Sequence, residues 1–253
     1  MGPILELALD AVWQAGRLTL SHFQTGVRVE RKEDESPVTV ADREAEKIMR
    51  SLIAARFPQD GIVGEEFGEE RPTAPRRWIL DPIDGTKSFI HGVPLYGVLL
   101  AVEEAGEVLL GVAHFPALQE TVWAAKGHGC HWNGRRVQVS KEDRMEEALV
   151  LTSDAEEMER EGKGSAWDEL RKRARLVRTW GDAYGYAMVA TGRAEVMLDA
   201  RFALWDAAAV RPIVEEAGGV FTDWQGEPSH LNGSGVGTNA ALADAVRHIL
   251  GSS

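Results

Sequence analysis

The 253 residues carry a formal net charge of -12 and are 44% hydrophobic, enough to bury a large core and too acidic to favour nucleic acid as a partner. A single cysteine, Cys130, excludes an internal disulfide and fits a reducing compartment. No apolar run approaches the roughly 18 residues needed to span a membrane, and Glu6 and Asp10 near the start argue against a signal peptide, so the sequence reads as a soluble cytoplasmic protein.

In chain order, Ile4, Leu7, Ala8, Ala11, Val12, Ala15 and Leu18 recur at helical spacing and predict an opening helix that ends near Gly26. The charged stretch Glu30 to Glu35, closed by Ser36-Pro37, reads as a solvated hairpin or loop. A second helix is predicted from about Ala41 to Phe57, stopped by Pro58. Strands follow at Trp78 to Leu80, Tyr96 to Val102, Val108 to Ala113 and Thr121 to Ala125, with Asn133-Gly134 marking a tight hairpin. From Ala148 to Leu151 onward, strands and helices alternate. Strands are predicted at Arg175 to Thr179, Glu195 to Leu198, Val220 to Asp223 and Val236 to Gly237, and helices over Asp182 to Thr191, Asp206 to Ala217 and from Ala240. The basic run Arg171 to Arg175 reads as a solvated helix face. The pattern is α/β with two sheets, in one domain over residues 1–253 whose subdomains meet near residue 148, about 1–147 and 148–253.

The informative segment is Trp78 to Phe89, WILDPIDGTKSF. A buried strand ends in Asp81, Pro82 stops sheet pairing, and Asp84 follows three residues on. Two carboxylates at the end of a buried strand are costly without a partner, and no basic residue lies between them. A hard divalent cation such as magnesium is the natural partner for an all-oxygen site. Gly85, Thr86 and Lys87 would then offer backbone N–H groups to a phosphate. Asp-Pro and Asp-Gly are also ordinary turn pairs, Asp206 in Trp205-Asp206-Ala207 would alone read as an N-cap, and Glu65-Glu66 alone as solvated surface. Three strand-end acid sites in one chain weigh against those separate readings.

Gly64-Glu65-Glu66, Asp81-Pro82-Ile83-Asp84-Gly85-Thr86 and Trp205-Asp206-Ala207-Ala208 with Glu216-Ala217-Gly218-Gly219 occur in that order. Together they resemble the inositol monophosphatase family of lithium-sensitive, magnesium-dependent phosphatases. The resemblance spans nearly the whole chain and implies a layered α/β/α/β/α sandwich. It implies that Glu65, Asp81 and the carbonyl of Ile83 hold one magnesium ion, that Asp81, Asp84 and Asp206 hold a second, and that a third, weaker ion sits near Glu65. It pairs Asp42 with Thr86 to activate the attacking water, with Glu65 also catalytic, and gives the phosphate to Gly85 and Thr86. It gives no zinc site to His128 and His131, and it implies a homodimer.

Two features resemble the histidinol-phosphate phosphatase branch. One is Gly85-Thr86-Lys87-Ser88-Phe89 followed by Gly92-Val93-Pro94-Leu95. The other is the segment from Arg178 through Gly181-Asp182-Ala183-Tyr184-Gly185. Arg178, Asp182 and Asp199 are the expected substrate-binding residues, and Asp182 could instead cap its helix. Ala203 stands where inositol enzymes have a substrate-contacting histidine. The resemblance therefore implies magnesium-dependent hydrolysis of a small phosphate monoester, L-histidinol phosphate first. Inositol 1-phosphate with broad sugar-phosphate specificity is the alternative, and a non-catalytic protein-binding regulator is the distant one.

Overall fold

A computed structural model describes residues 1–251. The chain opens with α1 (Gly2–His22), then a two-stranded hairpin of β1 (Val29–Arg31) and β2 (Pro37–Thr39), then α2 (Val40–Arg56). The charged stretch thus forms the hairpin rather than a loop. Next come β3 (Gly61–Gly64), β4 (Gly68–Glu70), β5 (Arg76–Asp84), the short α3 (Thr86–Ile90), β6 (Gly97–Glu104), β7 (Glu107–Phe115), β8 (Glu120–Ala125), β9 (Gly129–Trp132) and β10 (Arg135–Val137). The third part contains β11 (Leu149–Leu151), α4 (Ala155–Arg160), α5 (Gly164–Arg173), β12 (Leu176–Arg178), α6 (Ala183–Ala190), β13 (Val196–Asp199), α7 (Leu204–Glu216), β14 (Val220–Thr222), β15 (Gly235–Thr238) and α8 (Ala243–Gly251).

These elements stack in five layers. The helices α1 and α2 lay Ala8, Val12, Ala45, Met49 and Ile53 on one face of an eight-stranded sheet of order β10-β9-β8-β7-β6-β5-β3-β4. The opposite face, with Ile79, Leu99 and Ala113, packs against α6 and α7. The far side of those two helices covers a five-stranded sheet of order β12-β11-β13-β15-β14 through Met197 and Phe221. A fifth layer of α4, α5 and α8 covers the outer face with Met158, Trp167, Val246 and Ile249. The middle helices are apolar toward both sheets because each is sandwiched between them; α7 keeps Arg211 and Glu215 for its solvated end. Gly111 on β7 makes the tightest contact there, since a Cβ on it would stand 2.0 Å from the carbonyl oxygen of Ala209.

This is the layered α/β/α/β/α architecture that the resemblance implies. The basic run falls on the last turn of α5 as far as Arg173, where Arg171 and Arg173 pair with Asp168 and Glu169 on the solvated face, and Arg175 lies past the helix end. His131 lies on β9, stacked on Trp123 at 4.2 Å between ring centroids. Among the described residues no helix is long and apolar enough to cross a membrane.

Candidate active site

Strand direction assembles the site. In the larger sheet β3 and β5 run parallel, with Gly64 opposite Leu80, so the next residues, Glu65 and Asp81, emerge side by side. The backbone N–H of Glu65 donates to the Leu80 carbonyl at 3.2 Å. In a regular strand Asp81 and Asp84 would point to opposite faces. The ladder to β6 breaks between them: Asp81 pairs with Leu99 and Asp84 with Gly97, so three steps on β5 match two on β6. That bulge, at Pro82-Ile83, brings both carboxylates to one side. Ile83 and Phe89 anchor the turn from below against Ala41 and Tyr96.

Asp206 arrives from the third layer, in the first turn of α7, where its Oδ2 accepts the backbone N–H of Ala203 at 3.1 Å. Asp81, Asp84 and Asp206 each offer an oxygen within 4.8 Å of the others. Asp81 is 2% and Asp84 5% exposed. Burial, then the neighbouring acids, hold the carboxyls of Asp81 and Asp84 well above the usual range, and burial pushes Asp206 up to about 7. Two buried carboxylates and a half-buried third facing one another, with no nitrogen or sulfur donor among them, fit a hard cation and little else. The cluster can hold a metal.

The surrounding residues sort as follows. Asp42, in the first turn of α2, is drawn into a capping box: its Oδ2 accepts from the backbone N–H and the hydroxyl of Thr39 at 2.8 and 2.6 Å. Thr86 donates its hydroxyl to the Ile83 carbonyl at 3.0 Å, and the Ile83 N–H donates to Asp81 Oδ1 at 2.9 Å. Among the described residues no hydrogen bond joins Asp42 to Thr86. Glu65 lies near enough to Asp81 and Asp206 to oppose their charge. Its own Oε1 accepts from Lys32 Nζ at 2.7 Å, and Glu66 Oε1 from the same ammonium at 2.6 Å. Lys32 belongs to the β1–β2 hairpin, and no motif in the sequence pointed to it.

Beside the acid triad a cavity of about 360 Å³ is lined by Asp84, Lys87, Ser153, Glu157, Asp182 and Asp199, among others. It lies at the carboxyl ends of the parallel strands β11 and β13, where open α/β sheets place their ligands. Asp182 occupies the N-cap place of α6 with φ 26° but makes no capping bond. It faces Gly85 instead: a Cβ on Gly85, itself at φ 75°, would come within 2.5 Å of Asp182 Oδ2. Asp199 accepts the Ser153 N–H on Oδ1 at 3.0 Å, and burial pushes its carboxyl up to about 7.

Arg178, expected at the substrate, lines a different groove with Trp167, Arg171 and Thr179. Its strand β12 lies at the sheet edge beyond β11, and its guanidinium donates to the Val177 carbonyl and leans over Trp180. The arginine that lines the cavity is Arg201, two residues past Asp199. It carries no motif and was not singled out in the sequence.

The sequence profile of the inositol monophosphatase family matches residues 1–250. A histidinol-phosphatase of Chlorobaculum parvum is 49% identical over 244 residues, which cover 96% of this chain and 94% of that protein. A fructose-1,6-bisphosphatase/inositol-1-monophosphatase of Thermotoga maritima is 36% identical over 245 residues, covering 96% and 93%. Among solved structures, the extragenic suppressor protein suhB of Bartonella henselae superposes with a TM-score of 0.92 at 28% identity, covering 98% of both chains. The layered fold, the buried acid cluster and these likenesses define an enzyme of the phosphatase class. The chain belongs to the inositol monophosphatase family.

Proposed function

We propose that the enzyme hydrolyses L-histidinol phosphate to L-histidinol in a magnesium-dependent reaction. The observation that carries the reading is the acid-lined cavity directly beside the triad: a phosphate bound at the triad would place the rest of the ester among carboxylates, which suits a cationic alcohol better than a neutral polyol. The likeness to a histidinol-phosphatase at 49% identity supports it.

Asp81, Asp84 and Asp206 would hold magnesium, joined by Glu65 and the Ile83 carbonyl, in two sites with a third, weaker one near Glu65. Bound there, the ions supply neutralisation of phosphoryl charge and acidification of water. The protein's own part is positioning. Gly85 and Thr86 start α3, whose first N–H groups lack intrahelical acceptors and are available to a phosphate oxygen. Asp42 and Thr86 orient the attacking water, and the Asp42 carboxylate takes up its proton. Burial raises the Asp42 carboxyl above its ordinary value, toward the range a general base needs. Asp182 and Asp199 receive the substrate's cationic end.

The test is phosphate release from L-histidinol phosphate, inositol 1-phosphate and fructose 1,6-bisphosphate during a magnesium titration. Histidinol phosphate should give the highest kcat/KM. Inositol 1-phosphate in first place would favour the second reading, an inositol-1-monophosphatase, which the likeness to the Thermotoga maritima protein supports. A cytoplasmic homodimer serving histidine biosynthesis completes the proposal, and sedimentation of the purified protein checks the assembly.

A further inference from the structure

Glu46 lies on α2 one turn past Asp42, and it is fully buried although it belongs to neither the acid triad nor the cavity. A buried carboxylate is costly unless its oxygens are paired. Here both are. Oε2 accepts the backbone N–H of Glu66 at 2.7 Å. Oε1 accepts the guanidinium of Arg50, one turn further along the helix, at 2.7 Å, and the backbone N–H of Phe67 at 3.3 Å. Arg50 donates in turn to the Gly68 carbonyl at 2.5 Å. The contact needs Gly64 without a side chain, since a Cβ there would run into Glu46 Oε1. Glu46 and Arg50 thus hold the turn between β3 and β4 by its backbone.

That turn presents Glu65. A peptide unit is planar, so a hydrogen bond to its N–H fixes the whole plane. The plane before Glu65 is held by its own N–H on the Leu80 carbonyl of β5. The plane after Glu65 is held by the Glu66 N–H on Glu46 of α2. The backbone of Glu65 is therefore fixed on both sides, once by the strand that carries Asp81 and once by the helix that carries Asp42. A carboxylate suits the second task better than an amide. Three donors converge on its two oxygens, and a glutamine would offer one acceptor while turning an NH₂ toward a donor.

We propose that Glu46 is a positioning residue for Glu65. It fixes the direction in which Glu65 leaves the turn, and so sets the magnesium affinity of the site without touching the ion or the ester. The inference rests on the reading of Glu65 as a magnesium ligand, and it adds a buried acid on α2 that no sequence motif marks.

The test is calorimetric titration of magnesium into the substrate-free protein, comparing the parent with E46Q, R50Q, M49A and E65Q, with the melting temperature of each taken in chelator. In E46Q the dissociation constant for magnesium should rise about 10-fold or more, the range typical of losing a group that orients a metal ligand. The KM for L-histidinol phosphate at saturating magnesium should stay at the parent's value. R50Q should shift the affinity the same way by less, about 3-fold, because the bond from Glu66 survives, and it decides the matter if E46Q does not fold. Met49 is a core residue of the same helix, so M49A should lower the melting temperature and leave magnesium affinity at the parent's value. Parental affinity in folded E46Q, or in R50Q where E46Q does not fold, overturns the inference. So does an equal loss of affinity in M49A, since Glu46 would then be a structural support only. Parental affinity in E65Q overturns the reading of Glu65 as a ligand, and the positioning role with it. Loss of affinity in E65Q alone overturns the positioning role and leaves that reading standing.

Discussion

Asp84 accepts the backbone N–H of Ala183 on its Oδ2 at 2.8 Å, across 99 positions of sequence. The bond ties the end of β5, in the larger sheet, to the first residue of α6, in the layer between the sheets. The candidate metal cluster and the substrate cavity therefore share a wall. Asp84 lines both, and Asp182, just before Ala183, presents its carboxylate to Gly85 on the phosphate side. Any shift of α6 moves the acid that would hold metal together with the acid that would meet substrate.

Asp84→Asn tests the metal assignment with little disturbance of this junction, because the amide oxygen can still accept from Ala183. Activity should fall by more than about 100-fold at saturating magnesium, beyond the 10- to 100-fold typical of losing an outer-shell partner of a metal. Folding should survive: Asp84 is buried among Asp182 and Asp206, and removing one of several like charges relieves repulsion in the metal-free protein. Its melting temperature in chelator should equal or exceed the parent's. Parental activity in the variant would end Asp84's claim to a metal.

The long helices and the central strands were legible because their apolar periodicity is local. α1, α2, α6, α7 and β6 to β8 fall within a few residues of the sequence reading. The acids were legible for a different reason: a carboxylate at the end of an apolar run is conspicuous whatever the fold. What the sequence could not display is contact between distant elements. Lys32 reaches Glu65 from a hairpin, and Glu157 and Arg201 line the cavity from separate crossovers, each a single charged residue among many. The helix α4 and all but the basic end of α5 carry no wide apolar stripe to show them in the sequence; they cover the outer sheet chiefly with Met158, Trp167 and Leu170. Arg178 lies on another groove, away from the cavity, because β12 sits at the sheet edge, a position its nearness in sequence to Asp182 does not show.

Removing the metal should invert the usual effect of pH. Asp81, Asp84 and Asp206 all have folded-state values raised above those of free carboxyls, Asp206 to about 7. The folded, metal-free protein thus binds more protons than the unfolded chain between about pH 4 and pH 7, and its stability falls as pH rises through that window. Added magnesium binds the deprotonated cluster, so its stabilising effect should grow over the same range. Melting curves in chelator and in magnesium, taken from about pH 5 to pH 8, check both slopes. A chelated protein whose stability climbs steadily with pH would contradict the clustered acids.

His114 predicts the opposite slope over much of the same pH range. It lies on β7 beneath α1, its Nδ1 2.9 Å from the Thr121 hydroxyl, and burial lowers its pKa from 6.5 to about 4. With the folded value depressed, its contribution is intact above pH 6.5 and is lost as pH falls toward 4. His114→Gln should flatten the acid limb of the stability curve in that interval while costing stability at neutral pH. An unchanged limb would mean that other groups carry acid unfolding.

Asp182→Ala separates substrate recognition from chemistry. Asp182 makes no capping bond, so α6 loses little when its carboxylate is removed. Lys87 loses a nearby counter-charge. An ammonium-bearing ester then meets one carboxylate fewer and a less neutralised Lys87, whereas a neutral polyol ester feels mainly the change in shape. The kcat/KM for L-histidinol phosphate should drop about 10-fold, a loss of one charge-assisted interaction, and that for inositol 1-phosphate by less than about 3-fold. The remaining acids, Asp199 and Glu157, should keep the variant measurably selective. Parallel losses on the two esters would take Asp182 out of specificity and leave it a support for Gly85 and the start of α3.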